Sequence, residues 1–359
     1  FVVPLTDEHM SEYVGAYAQR LQWLTGFQGS AGSAVVLPQE AAIFTDGRYT
    51  LQVRAQVDEA HWSFESIPET SVAEWLKAHA PEGARIGYDP WLHTSDWVKK
   101  AGEALGEKGA ELVAVRRNPI DAVWADQPEP SKARLIVHPD QYAGKSSAAK
   151  RQEMAERLRE MKADAAVLAA LDSIAWTFNV RGADVEHTPV ALSYAVVHAD
   201  GTADLFVAPE KIDEAVRRHL GNAVRVHERR DFEPWLAGLS GKAVAVDPER
   251  SVAAIFEALD GAGAKVLAKR DPAVLPKAIK NEVEIEGHKA AQARDGAALA
   301  RFLHWLSVEA PKGGVDELSA ADKLHAFRKA GGDLRDLSFD TISGAGPNGA
   351  IVHYRVSEE

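Results

Sequence analysis

One pattern of about 150 residues runs through this chain twice, so whatever it folds into must contain the same domain in two copies. In the first copy Trp23-Leu24-Thr25-Gly26-Phe27 leads into the apolar run Ala34-Val35-Val36-Leu37. In the second, Trp176-Thr177-Phe178-Asn179 leads into Ala195-Val196-Val197, with the tryptophans 153 residues apart. Further on, Arg85-Ile86-Gly87-Tyr88-Asp89-Pro90 matches Val244-Ala245-Val246-Asp247-Pro248, with the aspartates 158 apart. The copies close on Asn118-Pro119-Ile120 and Asp271-Pro272-Ala273, where the offset returns to 153. An offset that drifts by a few residues and recovers is the mark of loop insertions in a duplicated domain.

Strands and helices alternate in each copy, which predicts α/β units with mixed sheets. Strands are expected over 1–5 and 41–44 in the first copy and over 165–171 and 203–206 in the second. Helices are expected over 97–105 and 252–259, after the Asp-Pro turns. Another helix, over 148–161 with Met154, Leu158 and Met161 at helical spacing, precedes the second copy only, so the chain is expected to be trimmed at its front. Pro128-Glu129-Pro130-Ser131 marks a linker. The division this gives is 1–127, 128–275 and 276–359.

In the third segment a long helix is expected from Pro276 to about 310, ending at Pro311-Lys312-Gly313-Gly314. Ser319-Ala320-Ala321-Asp322 fits a capping box ahead of a second helix. Two extended stretches, 339–342 and 350–354, are then joined by the glycine-rich turn 344–349, as the start of a sheet.

A hydrophobic content of 46% with 26% charged residues is that of a globular chain, and no apolar run approaches the ~20 residues that span a bilayer. Zero cysteines exclude disulfides, zinc–thiolate sites and thiol nucleophiles, and fit a cytoplasmic setting. A net charge of −12 argues against general affinity for nucleic acid or anionic membrane. The basic pairs Arg116-Arg117 and Arg229-Arg230 sit beside acids and read as solvated surface.

Gly26, Gly29 and Gly32 lead into a strand, whereas a phosphate loop needs a helix N-terminus behind it; a tight turn is the reading. Asp7-Glu8-His9 with Glu12, and Asp184-Val185-Glu186-His187, tempt a metal assignment. Neighbouring side chains on an extended segment diverge, so both read as polar loop ends. Ser30 and Ser33 lie in no nucleophile elbow.

Two residues remain. Arg48, in Thr45-Asp46-Gly47-Arg48-Tyr49, has Glu210 at its place in the second copy, so the shared scaffold does not demand it; it is either a surface ion pair with Asp46 or an anion or peptide contact. His353, in Ile351-Val352-His353-Tyr354, is either a packed histidine on a buried strand or a proton carrier beside a glycine loop.

The stretches 23–32, 45–49, 124–128 (Trp-Ala-Asp-Gln-Pro), 181–187 (Arg-Gly-Ala-Asp-Val-Glu-His) and 346–354 (Gly-Pro-Asn-Gly-Ala-Ile-Val-His-Tyr), with Lys280-Asn281-Glu282 and Pro311-Lys312-Gly313-Gly314, together resemble the three-domain Xaa-Pro aminopeptidases, the aminopeptidase P family. The resemblance covers nearly the whole chain in family order. It implies two creatinase-like N-terminal domains followed by a pita-bread metallopeptidase domain. It also implies homodimers, peptides with proline second as substrates, and a dinuclear manganese site held by two Asp, one His and two Glu. In that picture His353 matches the active-site histidine that hydrogen-bonds the substrate and helps stabilise the tetrahedral intermediate, and Arg48 matches an arginine that contacts bound peptide.

The resemblance puts all five metal ligands beyond Glu359, so no metal ligand is expected among these residues and the chain alone is expected to be inactive. A prolidase or creatinase-like hydrolase, or a non-catalytic dimerisation or binding fragment, stay open as alternatives. The second N-terminal domain and the 346–354 segment favour the aminopeptidase.

Overall fold

Short β-branched and apolar runs form six strands in the first copy: β1 (Val2–Pro4), β2 (Ser33–Val36), β3 (Ala41–Thr45), β4 (Ser63–Ser66), β5 (Arg85–Tyr88) and β6 (Glu111–Ala114). The second copy supplies β8 (Ala165–Leu168), β10 (Ser193–His198), β11 (Ala203–Val207), β12 (Val224–His227), β13 (Ala243–Val246) and β14 (Lys265–Ala268). A small pair, β7 (Ile136–Val137) with β9 (Val180–Arg181), lies outside these series. This computed structural model describes residues 1–356. They fall into two units, Phe1–Asp140 with Lys145–Ile279, and Gln141–Gly144 with the residues from Lys280 onward.

In the second copy the order is β12-β11-β10-β8-β13-β14, antiparallel at β11–β10 and β10–β8 and parallel elsewhere. The first copy repeats this as β4-β3-β2-β1 plus β5-β6, with the same orientation at each matching pair. Its sheet opens between β1 and β5. Pro4 gives the three-residue β1 no amide at that position, and the Phe1 ring packs on Gly87, where a Cβ would meet it at 2.9 Å. Side chains alternate as the strand period requires: Val2, Val35, Ala42 and Phe44 face one core, and Val3, Ala34 and Ile43 the other. Both faces of the second sheet are likewise buried. The expected strand over 165–171 ends at Leu168, because Leu171 already begins the helix Leu171–Phe178 that carries Trp176.

The duplication extends to hydrogen bonds. Asp89 accepts from the Trp91 amide at 2.9 Å and from Asn118 Nδ2 at 2.9 Å. Asp247 accepts from the Glu249 amide at 2.9 Å and from the Asp271 amide at 2.7 Å. Each Asp-Pro turn is thereby clasped to the Asn-Pro or Asp-Pro step that closes its own copy. The helices Ser95–Gly106 and Ala253–Gly261 follow these turns, and the copies meet there, with the amides of Ala253 and Ala254 donating to the carbonyls of His93 (2.7 Å) and Pro90 (3.0 Å).

The single helix expected from Pro276 is two. Val274–Ala278 ends at Ile279, and Asn281 caps a new helix, Glu282–Glu309, through a capping box with Glu284. The next helix, Glu317–Ala330, is capped earlier than expected, by Asp316 with Ser319. Arg328 pairs with Asp295 at 2.6 Å, holding the second of these helices against the first. Residues 339–342 and 350–354 form no strand. The chain closes a 3-10 turn, Gly346–Ala350, and local bonds from Asn348 to Ala345 and from Tyr354 to Ile351 satisfy a backbone that no neighbouring strand among the described residues pairs with.

Candidate functional site

Arg48 stands at the corner between β3 and the helix Thr50–Gln56. Asp46 shapes that corner: its Oδ1 accepts the Arg48 amide at 3.0 Å and its main-chain oxygen accepts the Tyr49 amide at 3.0 Å. The same carboxylate takes the guanidinium through Nε (2.9 Å) and Nη2 (2.7 Å). The ion pair that the sequence allowed is therefore formed, and hydrogen bonding to Asp46 raises the pKa of the Arg48 guanidinium. The side chain remains 37% exposed, with Nη1 turned to neither Asp46 oxygen in these contacts, so ion pairing and ligand contact are compatible.

Beneath Arg48 the floor is built. Tyr49 is buried, its hydroxyl 2.7 Å from Ser30 Oγ and its ring edge-on to Phe27. Phe27 covers Gly29, where a Cβ would fall 2.2 Å from the ring, and a Cβ on Gly32 would fall 3.0 Å from the Phe44 carbonyl. The glycines therefore permit close approach, as the tight-turn reading holds. Thr45 Oγ1 fastens β3 to the same loop by donating to the Ala31 carbonyl at 2.8 Å.

The equivalent corner of the second copy is used differently. Glu210 lies in the 3-10 turn Pro209–Lys211, and Lys211 turns inward to a buried ion pair with Asp184. Asp184 also accepts the Leu192 amide at 2.7 Å. It is not the polar loop end expected from sequence, because a second-copy lysine reaches it inside the fold.

Asp7, Glu8 and His9 correct the reading in the same way. Asp7 and His9 are buried, with Asp7 Oδ1 accepting the amides of His9 (3.0 Å) and Ser11 (2.9 Å). Glu8 pairs with Arg229, whose side chain is only 25% exposed, so Arg229 is not solvated surface. His9 donates from Nδ1 to the Ala169 carbonyl at 2.9 Å and so accepts from Arg229 through Nε2 at 3.0 Å. Burial, then the Arg229 charge, lowers the His9 pKa. Sequence reasoning missed this knot because its partners are 221 residues apart.

His353 follows the 3-10 turn in a left-handed conformation (φ 57°), exposed rather than on a buried strand. Histidine tolerates that region better than most residues. The loop before it is pinned by Glu317, whose carboxylate accepts from the Ala345 amide (2.5 Å), Asn348 Nδ2 (3.2 Å) and the Tyr354 hydroxyl (2.8 Å). Those hydrogen bonds lower the Glu317 pKa, the Ala345 amide contributing most. Glu317 gives no sequence signal beyond its place in the first turn of a helix. With Asp7, Glu8, Asp184 and Glu317 taken up by internal partners, these acids do not fit a dinuclear metal centre.

Models of the Creatinase/Prolidase N-terminal domain match residues 5–122 and 126–284, and that of metallopeptidase family M24 matches 286–359. A probable Xaa-Pro aminopeptidase P of Penicillium rubens is 38% identical over 99% of this chain and 60% of its own length. One of Paracoccidioides brasiliensis is 38% identical over 100% of this chain and 61% of its own. The crystal structure of X-prolyl aminopeptidase from Caenorhabditis elegans, described as a cytosolic enzyme with a di-nuclear active site, superposes with a TM-score of 0.93 at 32% identity, over 99% of this chain and 60% of that one. The chain thus spans about three-fifths of the length of these relatives. No helix among the described residues is long and apolar enough to cross a membrane. With the duplicated α/β fold and these likenesses along its length, the chain carries two creatinase/prolidase N-terminal domains followed by an M24 metallopeptidase segment, and it is similar throughout to Xaa-Pro aminopeptidases P.

Proposed function

We propose that this protein is an Xaa-Pro aminopeptidase, which hydrolyses the bond between an N-terminal residue and a following proline in peptides. The observation that carries this reading is the likeness to the Caenorhabditis elegans X-prolyl aminopeptidase over 99% of the chain. The domain division in this reading is 1–127, 128–275 and 276–359, and the enzyme works as a cytoplasmic homodimer. In this reading manganese, held by side chains other than the acids described above, would supply the Lewis acid that activates water.

Within these residues Arg48 contacts bound peptide while Asp46 fixes the plane of its guanidinium, so that the contact is made with less loss of side-chain freedom. His353 hydrogen-bonds the substrate and helps stabilise the tetrahedral intermediate. Release of arginine from Arg-Pro-Pro by the complete enzyme supplied with manganese, stopped by a chelator, is the expected result. Release that survives chelation would overturn the metallopeptidase reading. His353→Ala should lower kcat by about tenfold or more at unchanged metal content; near-normal turnover would remove His353 from the chemistry.

A further inference from the structure

The second copy carries a charged cluster that the proposed reaction does not use. Asp204 lies on β11 with its carboxylate 1% exposed, opposite Arg225 on β12 and Val196 on β10. Sheet geometry places His198 and His227, each two residues along a neighbouring strand, diagonally beside it. Arg225 donates to Asp204 from Nε (2.9 Å) and Nη2 (2.8 Å), and His198 and His227 each donate from Nε2 at 2.7 Å. Burial alone would raise the Asp204 pKa, but these hydrogen bonds outweigh it and hold the carboxyl below the usual range. An ionised carboxylate only accepts, so both Nε2 atoms carry protons and each imidazole keeps Nδ1 for another partner.

One arginine already neutralises one aspartate, so two further imidazoles exceed what ion pairing needs. All four side chains line a cleft of about 810 Å³ whose apolar side is Trp235 with Leu239. Other charged groups face it. Lys242 is exposed on the lining, Asp164 accepts the Ala243 amide at 2.8 Å, and Asp200 accepts the Thr202 amide and hydroxyl. Arg159 donates to the carbonyl of Ala199, another lining residue. Among the lining residues three acids face two bases, Arg225 and Lys242, so the cleft is net negative with uncharged imidazoles and gains positive charge as they protonate.

We propose that this cleft binds a small organic carboxylate carrying an apolar group, and that binding is coupled to protonation of His198 and His227. The protonated imidazoles offer Nδ1–H donors, Arg225 Nη1 and the Lys242 ammonium add positive charge, and Trp235 takes the apolar part. The carboxylate belongs to a free amino acid or to the C-terminus of a short peptide, which share this chemistry.

Isothermal titration calorimetry of the protein with N-acetyl-leucine tests this, with leucinamide as the probe that lacks the carboxylate. N-acetyl-leucine should bind about tenfold or more tightly at about pH 5.5 than at about pH 8, with proton uptake seen by comparing buffers of different ionisation heat. Leucinamide should bind about tenfold more weakly than N-acetyl-leucine at the lower pH. The double variant His198→Gln, His227→Gln, which keeps amide donors beside Asp204, should lose the pH dependence, and Lys242→Gln, altering only an exposed side chain, should weaken binding in a folded protein. Tighter binding of N-acetyl-Leu-Leu than of N-acetyl-leucine would assign the peptide as source, and the reverse order the amino acid; both uphold the site. Absence of binding at about pH 5.5, equal binding of leucinamide, or a pH dependence unchanged in the double variant would overturn it.

Discussion

The two copies share a strand order and an Asp-Pro clasp, and they part at the corner after the third strand. In the first copy that corner holds a partly exposed Arg48, paired with Asp46, above a buried Tyr49. In the second it holds Glu210 beside a lysine turned inward to Asp184. The same backbone step thus presents a cation to solvent once and ties up an internal ion pair the other time. A scaffold fixed by its sheets and clasps leaves this corner free to be specialised in one copy without cost to the other.

Removing the second corner's ion pair should have the largest effect. Lys211→Met leaves the Asp184 carboxylate buried without its cation, which should destabilise the protein by about 3–5 kcal/mol, read as a shifted urea midpoint. A loss below about 1 kcal/mol would mean that the corner does not depend on the pair. Arg229→Met, which strands Glu8 between the copies, should cost about 3 kcal/mol in the same measurement.

That pair also sets an acid limb. Burial alone would raise the Glu8 pKa, but Arg229 and then His9 bring it down from 4.5 to about 2. A folded value below the unfolded one adds stability that is complete above about pH 5 and is lost as the pH falls toward about 2. The loss between those limits should be about 3 kcal/mol, and Glu8→Gln should flatten it. The smallest effect belongs to the first corner: Arg48→Ala should change stability by less than about 0.5 kcal/mol, since its pair with Asp46 is partly exposed at the surface.

Much of this contrast was legible in the sequence. The drifting offset between Trp23 and Trp176, and between the two Asp-Pro steps, identified the duplication, because strand and turn signals are local. Arg48 stood out because Glu210 replaces it. The caps at Asn281 and Asp316 were also present as Asn-x-x-Glu and Asp-x-x-Ser, and were obscured by long apolar periodicity and by a nearby serine. What the sequence could not show is tertiary: Glu8 reads as solvated until folding brings Arg229 to it, and Asp184 reads as a loop end until Lys211 turns inward. His353 was expected on a strand because Ile351 and Val352 favour one, but a strand needs a neighbour to pair with, and local turns formed instead.

The most direct measurement of the difference between the corners is steady-state cleavage of Arg-Pro-Pro by the metal-loaded enzyme carrying Arg48→Ala, beside Glu210→Ala. A KM raised by about tenfold for Arg48→Ala with little change in kcat, and unaltered kinetics for Glu210→Ala, is the expected result. Equal kinetics for both variants and the parent enzyme would contradict it and return Arg48 to a surface ion pair.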